Sequence, residues 1–156
     1  IFVEEHLKNA LLSGKQLRIK LGIDPTGPAI HLGRAVVLHK LKAFQGLGHQ
    51  IVLIIGDFTA KIGDPSDKLE KRPMLTDKEI KKNLEGYLEQ IGKIVDLSKT
   101  EIHYNSEWFK KMNFIELGKL LENFTVQQMS KRMKFKERLE KGEDVFVVEM
   151  IYPALQ

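Results

Sequence analysis

The chain reads as an α/β domain: a parallel sheet with flanking helices, followed by a helical remainder. Three observations carry that reading. Leu17 to Ile23, LRIKLGI, alternates apolar and basic residues as a strand does. Gly33 to Leu47 places Val37, Leu38, Leu41 and Phe44 on one helical stripe, with Gly48 as its stop. Ile51 to Ile55, IVLII, is a short β-branched run of the kind buried in parallel sheets. Strand, helix and strand with short joints predict a right-handed crossover between parallel neighbours.

The other elements follow in order. Phe2 to Leu12 reads as a helix closed by Gly14. Asp57 to Leu75 is a long polar segment with Gly63, Pro65 and Pro73, and a loop of that length points to function. Thr76 and Glu79 form a capping box ahead of a stripe made by Ile80, Leu84, Tyr87, Leu88, Ile91 and Val95. Glu101 to Tyr104 reads as a short strand. Helices follow from Ser106, from Asn113 (boxed with Glu116) and from Thr125 to Lys141. In that last helix Val126, Met129 and Met133 share one face, while Phe135 and Leu139 lie nearly opposite. Such a helix either bends or contacts two bodies.

Composition narrows the function classes. Of 156 residues, 42% are hydrophobic and 29% charged, which suits one domain with a real core. Cysteine is absent, so thiol catalysis and disulfide frameworks are excluded, and a reducing cytoplasm is expected. The longest apolar run, Ile51 to Ile55, is too short to span a membrane as a helix. A net charge of +4 fits an anionic ligand or nucleic acid. The first residue is not Met and the last residues, Ala154-Leu155-Gln156, carry no cap, so a piece of a longer protein is expected.

The densest signal is GIDPTGPAIHLGRA, Gly22 to Ala35, between the first strand and its helix. Ligands of parallel sheets bind beyond the carboxyl ends of the strands, near helix amino termini that favour anions. His31 and Arg34 flank that entrance and can donate to phosphate oxygens. Gly33 allows a flat group close to the backbone, and Pro25 and Pro28 stiffen the approach. Neither G-x-G-x-x-G nor G-x-x-x-x-G-K-[ST] occurs.

GIDPTGPAIHLGRA resembles the His-Ile-Gly-His region of class I aminoacyl-tRNA synthetases, in its tyrosyl branch. VLIIGDFTAKIGDPS (Val52 to Ser66), LGHQ (Leu47 to Gln50), YNSEWF (Tyr104 to Phe109) and YPALQ (Tyr152 to Gln156) are similar to further stretches of bacterial tyrosyl-tRNA synthetases, in order. The resemblance implies a Rossmann-like sheet, with residues 1–100 as the first half of the nucleotide-binding fold. It implies that 101–156 are a helical connective insertion and dimer interface, the whole being a partial catalytic domain. The activity implied is tyrosine–tRNA ligation: ATP, with Mg²⁺ held mainly by the ATP itself, activates tyrosine, and tRNA(Tyr) receives it. The implied partners are those substrates and a second copy of the chain, with no membrane.

Roles follow by position. His31 would contact the ATP phosphates, Gly33 would lie under the adenine, and Thr26 would donate near the γ-phosphate. Asp24 and Gly22 would line the adenylate pocket. Asp64 would accept from the ammonium group of tyrosine, with Tyr152 and Gln156, four residues apart, completing the cradle. Lys68 and Arg72 would close on pyrophosphate. No residue of the chain is expected to bind metal. Arg34 stands where the family has its second histidine, so Arg34→His is expected to raise pyrophosphate exchange. Met129-Ser130-Lys131-Arg132 resembles the family's Lys-Met-Ser-Lys-Ser signature only in composition, since it falls within a predicted amphipathic helix. Two other readings stay open: a non-catalytic relative serving as a binding or dimerisation module, and a related enzyme activating another amino acid.

Overall fold

Alternating and fully apolar runs form strands here because a sheet can bury both kinds, the first on one face and the second on two. A computed structural model describes residues 3–62, 75–131 and 133–155. Strands β1 (Arg18–Ile23), β2 (Gln50–Ile55) and β3 (Thr100–Tyr104) form one sheet, all parallel, with β2 in the middle. Arg18 pairs with Gln50 through to Ile23 with Ile55, and Ile51 with Thr100 through to Ile55 with Tyr104. All three strands therefore end level, at Ile23, Ile55 and Tyr104.

Helix α1 (Glu4–Leu12) precedes β1, and α2 (Leu32–Gly46) makes the crossover to β2. The predicted stop is present: Gly48 has φ +84°, a left-handed conformation that favours glycine. On one face of the sheet Ile23, Ile51, Leu53 and Ile55 pack with Leu38 and Leu41 of α2 and with Tyr87, Ile91 and Val95. Ile19, Leu21, Ile102 and Tyr104 extend this core along the outer strands. The central strand is buried on both faces, whereas β1 alternates, leaving Arg18, Lys20 and Gly22 exposed.

After the short α3 (Thr59–Ile62), the predicted long helix is two: α4 (Asp77–Leu84) and α5 (Tyr87–Gly92). The capping box of Thr76 and Glu79 is present. Gly86, at φ +72°, breaks the helix while the apolar stripe continues across it. Lys61 of α3 and Asp77 of α4 pair, so the residues flanking segment 63–74 come together. The Lys61 ammonium holds the Asp77 carboxyl below its ordinary pKa.

Among the described residues, helices alone follow β3: α6 (Ser106–Phe109), α7 (Phe114–Leu121), α8 (Val126–Ser130), α9 (Met133–Glu140) and α10 (Val147–Ile151). Asn113 and Glu116 cap α7 as predicted. The two-faced helix from Thr125 resolves into α8 and α9, which bury Met129 and Phe135 respectively. Arg138 of α9 is nearly buried and donates to Glu149 of α10 at 3.1 Å, so it ties down the segment leading to Tyr152. No helix among the described residues is long and apolar enough to cross a membrane.

Candidate active site

Because the three strands end level, the next residue of each meets the others. Asp24 follows β1, Gly56 follows β2 and Asn105 follows β3. Backbone bonds fix the three turns: Gly56 N–H donates to the Ile23 carbonyl and Asn105 N–H to that of Ile55, each at 2.9 Å. A hydrogen-bonded chain then runs across the strand ends. Asn105 Nδ2 donates to Thr59 Oγ1 at 2.8 Å, and Thr59 Oγ1 donates to Asp24 Oδ1 at 2.9 Å. Tyr152, 128 residues away in sequence, donates its hydroxyl proton to Asp24 Oδ2 at 2.7 Å.

Asp24, Thr59, Asn105 and Tyr152 are all buried. Buried polar groups carry a desolvation penalty unless paired, and each here is paired. Gly56 makes the arrangement sterically feasible. A Cβ there would lie 1.7 Å from Asp24 Oδ1 and 2.6 Å from Thr59 Oγ1.

A cleft of about 370 Å³ opens beside this chain, on the sheet face opposite the main core. Gly22, Asp24, Gly56 and Asn105 form its polar side, and Trp108, Phe109 and Leu155 part of its apolar side. That volume falls in the range of small-ligand sites, and aromatic walls with a few convergent polar groups are their usual make-up. Lys20 lines the same cleft.

The lip between β1 and α2 is held from below by α4 and α5. Asn83 Nδ2 donates to the Pro25 carbonyl at 3.0 Å. Gln90 accepts from Ile30 N–H and donates to the Pro28 carbonyl, both at 3.0 Å. Tyr87 lies between them, fully buried, with its hydroxyl 3.5 Å from the Asp24 carbonyl. Burial raises the Tyr87 phenol above its ordinary pKa, with the nearby Arg34 pulling the other way.

At the entrance itself, His31 is the N-cap residue of α2 and is exposed, its side chain making no capping bond. The nearest atoms to a Cβ at Gly33 are those of the His31 ring, at 3.1 and 3.2 Å, so Gly33 makes room for that imidazole. Arg34 turns inwards: Nη1 donates to the Tyr87 hydroxyl and Nη2 to Thr26 Oγ1, the latter at 3.3 Å. Asp24 and Gly22 thus line one cleft, with Tyr152 bonded to Asp24 behind it, while Thr26, His31, Gly33 and Arg34 form the adjoining lip.

Asp64, Lys68, Arg72 and Gln156 lie outside the described residues. Tyr152 stands in a 3-10 turn, Tyr152–Ala154, at the end of α10. A 3-10 turn has three residues per turn, and Pro153 tightens the chain as α10 ends. Sequence reasoning missed Thr59, Asn105, Asn83, Tyr87 and Gln90 as site-building residues. For Asn105 a signal existed: like Asp24, it directly follows a strand of the parallel sheet.

A level parallel sheet with a cleft at its carboxyl ends and a helix entrance beside it defines the Rossmann-like α/β class. Within that class, the family described as tRNA synthetases class I (W and Y) matches residues 12–156. The chain belongs to that family. A tyrosine–tRNA ligase of Carboxydothermus hydrogenoformans is 49% identical over 152 residues, covering 97% of this chain and 37% of the relative. One of Dehalococcoides mccartyi is 49% identical over 156 residues, covering 100% and 39%. The chain thus spans less than two-fifths of these relatives. A solved, C-terminally truncated mitochondrial tyrosyl-tRNA synthetase of Aspergillus nidulans superposes with a TM-score of 0.79 at 22% identity, covering 97% of this chain and 47% of that one. That likeness is one of fold.

Proposed function

We propose that the protein carrying this chain is a tyrosine–tRNA ligase, and that residues 1–156 build the first part of its adenylate-forming site. The observation that carries the proposal is the Asp24 carboxylate, gripped by Thr59 and Tyr152 at the mouth of an aromatic-walled cleft. The names of the relatives at 49% identity support tyrosine as the amino acid.

On this reading the carboxylate of tyrosine attacks the α-phosphorus of ATP in line, the new P–O bond forms, and pyrophosphate leaves with the electron pair of the broken one. The nucleophile is already ionised, so the protein needs no general base. Its work is positioning and neutralising charge on the phosphates. His31, exposed beside the first turn of α2, is placed to donate to phosphate oxygens, with helix N–H groups adding partial positive charge. Lys68 and Arg72 are assigned to pyrophosphate and Asp64 and Gln156 to the ammonium group, by resemblance alone. The described residues contain no group of three or more His, Cys, Asp or Glu placed to hold a metal. By resemblance, Mg²⁺ arrives on the phosphates of ATP, and no residue is assigned to it.

The test is ATP–pyrophosphate exchange by the protein at its full natural length. Exchange that depends on tyrosine, and not on tryptophan or phenylalanine, is the expected result. Exchange with none of the three overturns the proposal.

The remainder, 101–156, is proposed as the connective insertion that meets a second copy. Support comes from Phe114, Ile115, Val126 and Val147, which stand 65–85% exposed on α7, α8 and α10. Sedimentation equilibrium should report a dimer, shifted to monomer by Phe114→Asp, and a monomeric wild type ends this assignment. The basic excess is assigned in part to tRNA(Tyr), whose phosphates favour a positive partner.

A further inference from the structure

Arg34 raises a question that the resemblance does not answer, since the family has histidine there. Its guanidinium makes two hydrogen bonds, both to hydroxyls of this chain: Tyr87 and Thr26. A guanidinium only donates, so each hydroxyl must accept from it. Each hydroxyl also has a single proton of its own to give. The Tyr87 proton has the Asp24 carbonyl before it, at 3.5 Å. The Thr26 proton is left for an acceptor outside the trio.

We propose that Arg34 is a positioning residue: anchored on Tyr87, it occupies an acceptor site of the Thr26 hydroxyl and so commits the Thr26 proton to the nucleotide phosphates. This rests on the reading of the site as one that binds ATP. Phosphate oxygens are acceptors, so a threonine held as an obligatory donor suits them, while one free to rotate spends part of its time presenting a lone pair.

The anchor is rigid for stated reasons. Tyr87 is fully buried, and Asn83 of α4 and Gln90 of α5, on either side of it in sequence, bind the lip at Pro25, Pro28 and Ile30. Arginine fits the task because its planar fork reaches two acceptors at once, where an imidazole at the same Cα is shorter and offers at most one donor on each side of a small ring. The geometry therefore reverses the sign expected from sequence alone: Arg34→His lowers exchange here.

The experiment is a set of double-mutant cycles in the protein at its full natural length. Arg34→His and Tyr87→Phe are each combined with Thr26→Val, and kcat and KM are measured by tyrosine-dependent exchange. ATP affinity is measured separately by calorimetry without amino acid. Each single variant should lower kcat about tenfold, the scale of one lost hydrogen bond to a charged group, with KM for tyrosine unchanged. Neither should lower it further in the Thr26→Val background, whereas Thr26→Ser, which keeps the hydroxyl, should preserve the coupling. Independent, multiplying effects overturn the proposal, as does a rise in exchange with Arg34→His. If the wild type shows no exchange with tyrosine, the assigned activity fails and the calorimetric cycle decides alone. Non-additive losses of ATP affinity through Thr26 then sustain the inference, and additive ones end it.

Discussion

Gly56→Ala is expected to lower the thermal unfolding midpoint by about 10 °C, from a loss of about 3 kcal/mol for a chain of this size. The added methyl would stand 1.7 Å from Asp24 Oδ1 and 2.8 Å from Asp24 Cγ. Aspartate is short, and both its oxygens are committed, one to Thr59 and one to Tyr152, so it cannot swing aside without breaking the chain at the strand ends. Gly56 cannot recede either, because its N–H is bonded to Ile23 and its carbonyl to the Ala60 N–H. Gly22→Ala is the control. Nothing lies within 4 Å of a Cβ there, so its midpoint should stay near wild type, within about 0.5 kcal/mol. Circular dichroism melts of the two variants check both statements, and a Gly56→Ala protein that melts with the wild type contradicts the packing described.

That contrast shows where the sequence was informative. LRIKLGI and IVLII marked β1 and β2, because burial on one face or two leaves a period in the residues themselves. The caps at Thr76 and Asn113 were legible because a capping box is local, closed within three residues. The break at Gly86 was not. Ile80, Leu84, Tyr87 and Ile91 keep a helical spacing across it, so periodicity reports the buried face and is blind to the interruption. Near residue 131 the apolar face changes, from Val126 and Met129 to Phe135 and Leu139, and that change coincides with the break between α8 and α9.

In the site, GIDPTGPAIHLGRA announced itself by its glycines, prolines and histidine. The partners that hold it did not, since Tyr87 reads as one more residue of the apolar stripe, and Asn83 and Gln90 as polar residues beside it, until α4 and α5 are docked beneath the lip. From sequence alone Arg34 faces the ligand, because charge at a helix entrance usually does. Its acceptors were invisible without the fold, Tyr87 being 53 residues away.

Asp24→Ala is the second large effect expected, a loss of about 3 kcal/mol measured by urea denaturation. The substitution removes the acceptor for two buried donors at once. The Thr59 hydroxyl already accepts from Asn105, and its own proton would lose the 2.9 Å bond to Asp24 and keep only the distant Gly56 carbonyl, at 3.5 Å. The Tyr152 hydroxyl would lose its 2.7 Å bond, and with it the contact that draws the end of α10 onto the carboxyl ends of the strands. Tyr152→Phe should cost less, about 1 kcal/mol, because it deletes one donor and leaves the Asp24–Thr59 bond in place. The two substitutions cut the same bond, so the double variant Asp24→Ala/Tyr152→Phe should fall short of the sum of the singles by roughly 1 kcal/mol or more. Strict additivity means that Tyr152 and Asp24 do not meet in solution. The cleft would then lose its link between the first strand and the segment 128 residues further on, and the assignment of Tyr152 to the substrate site would fall with it.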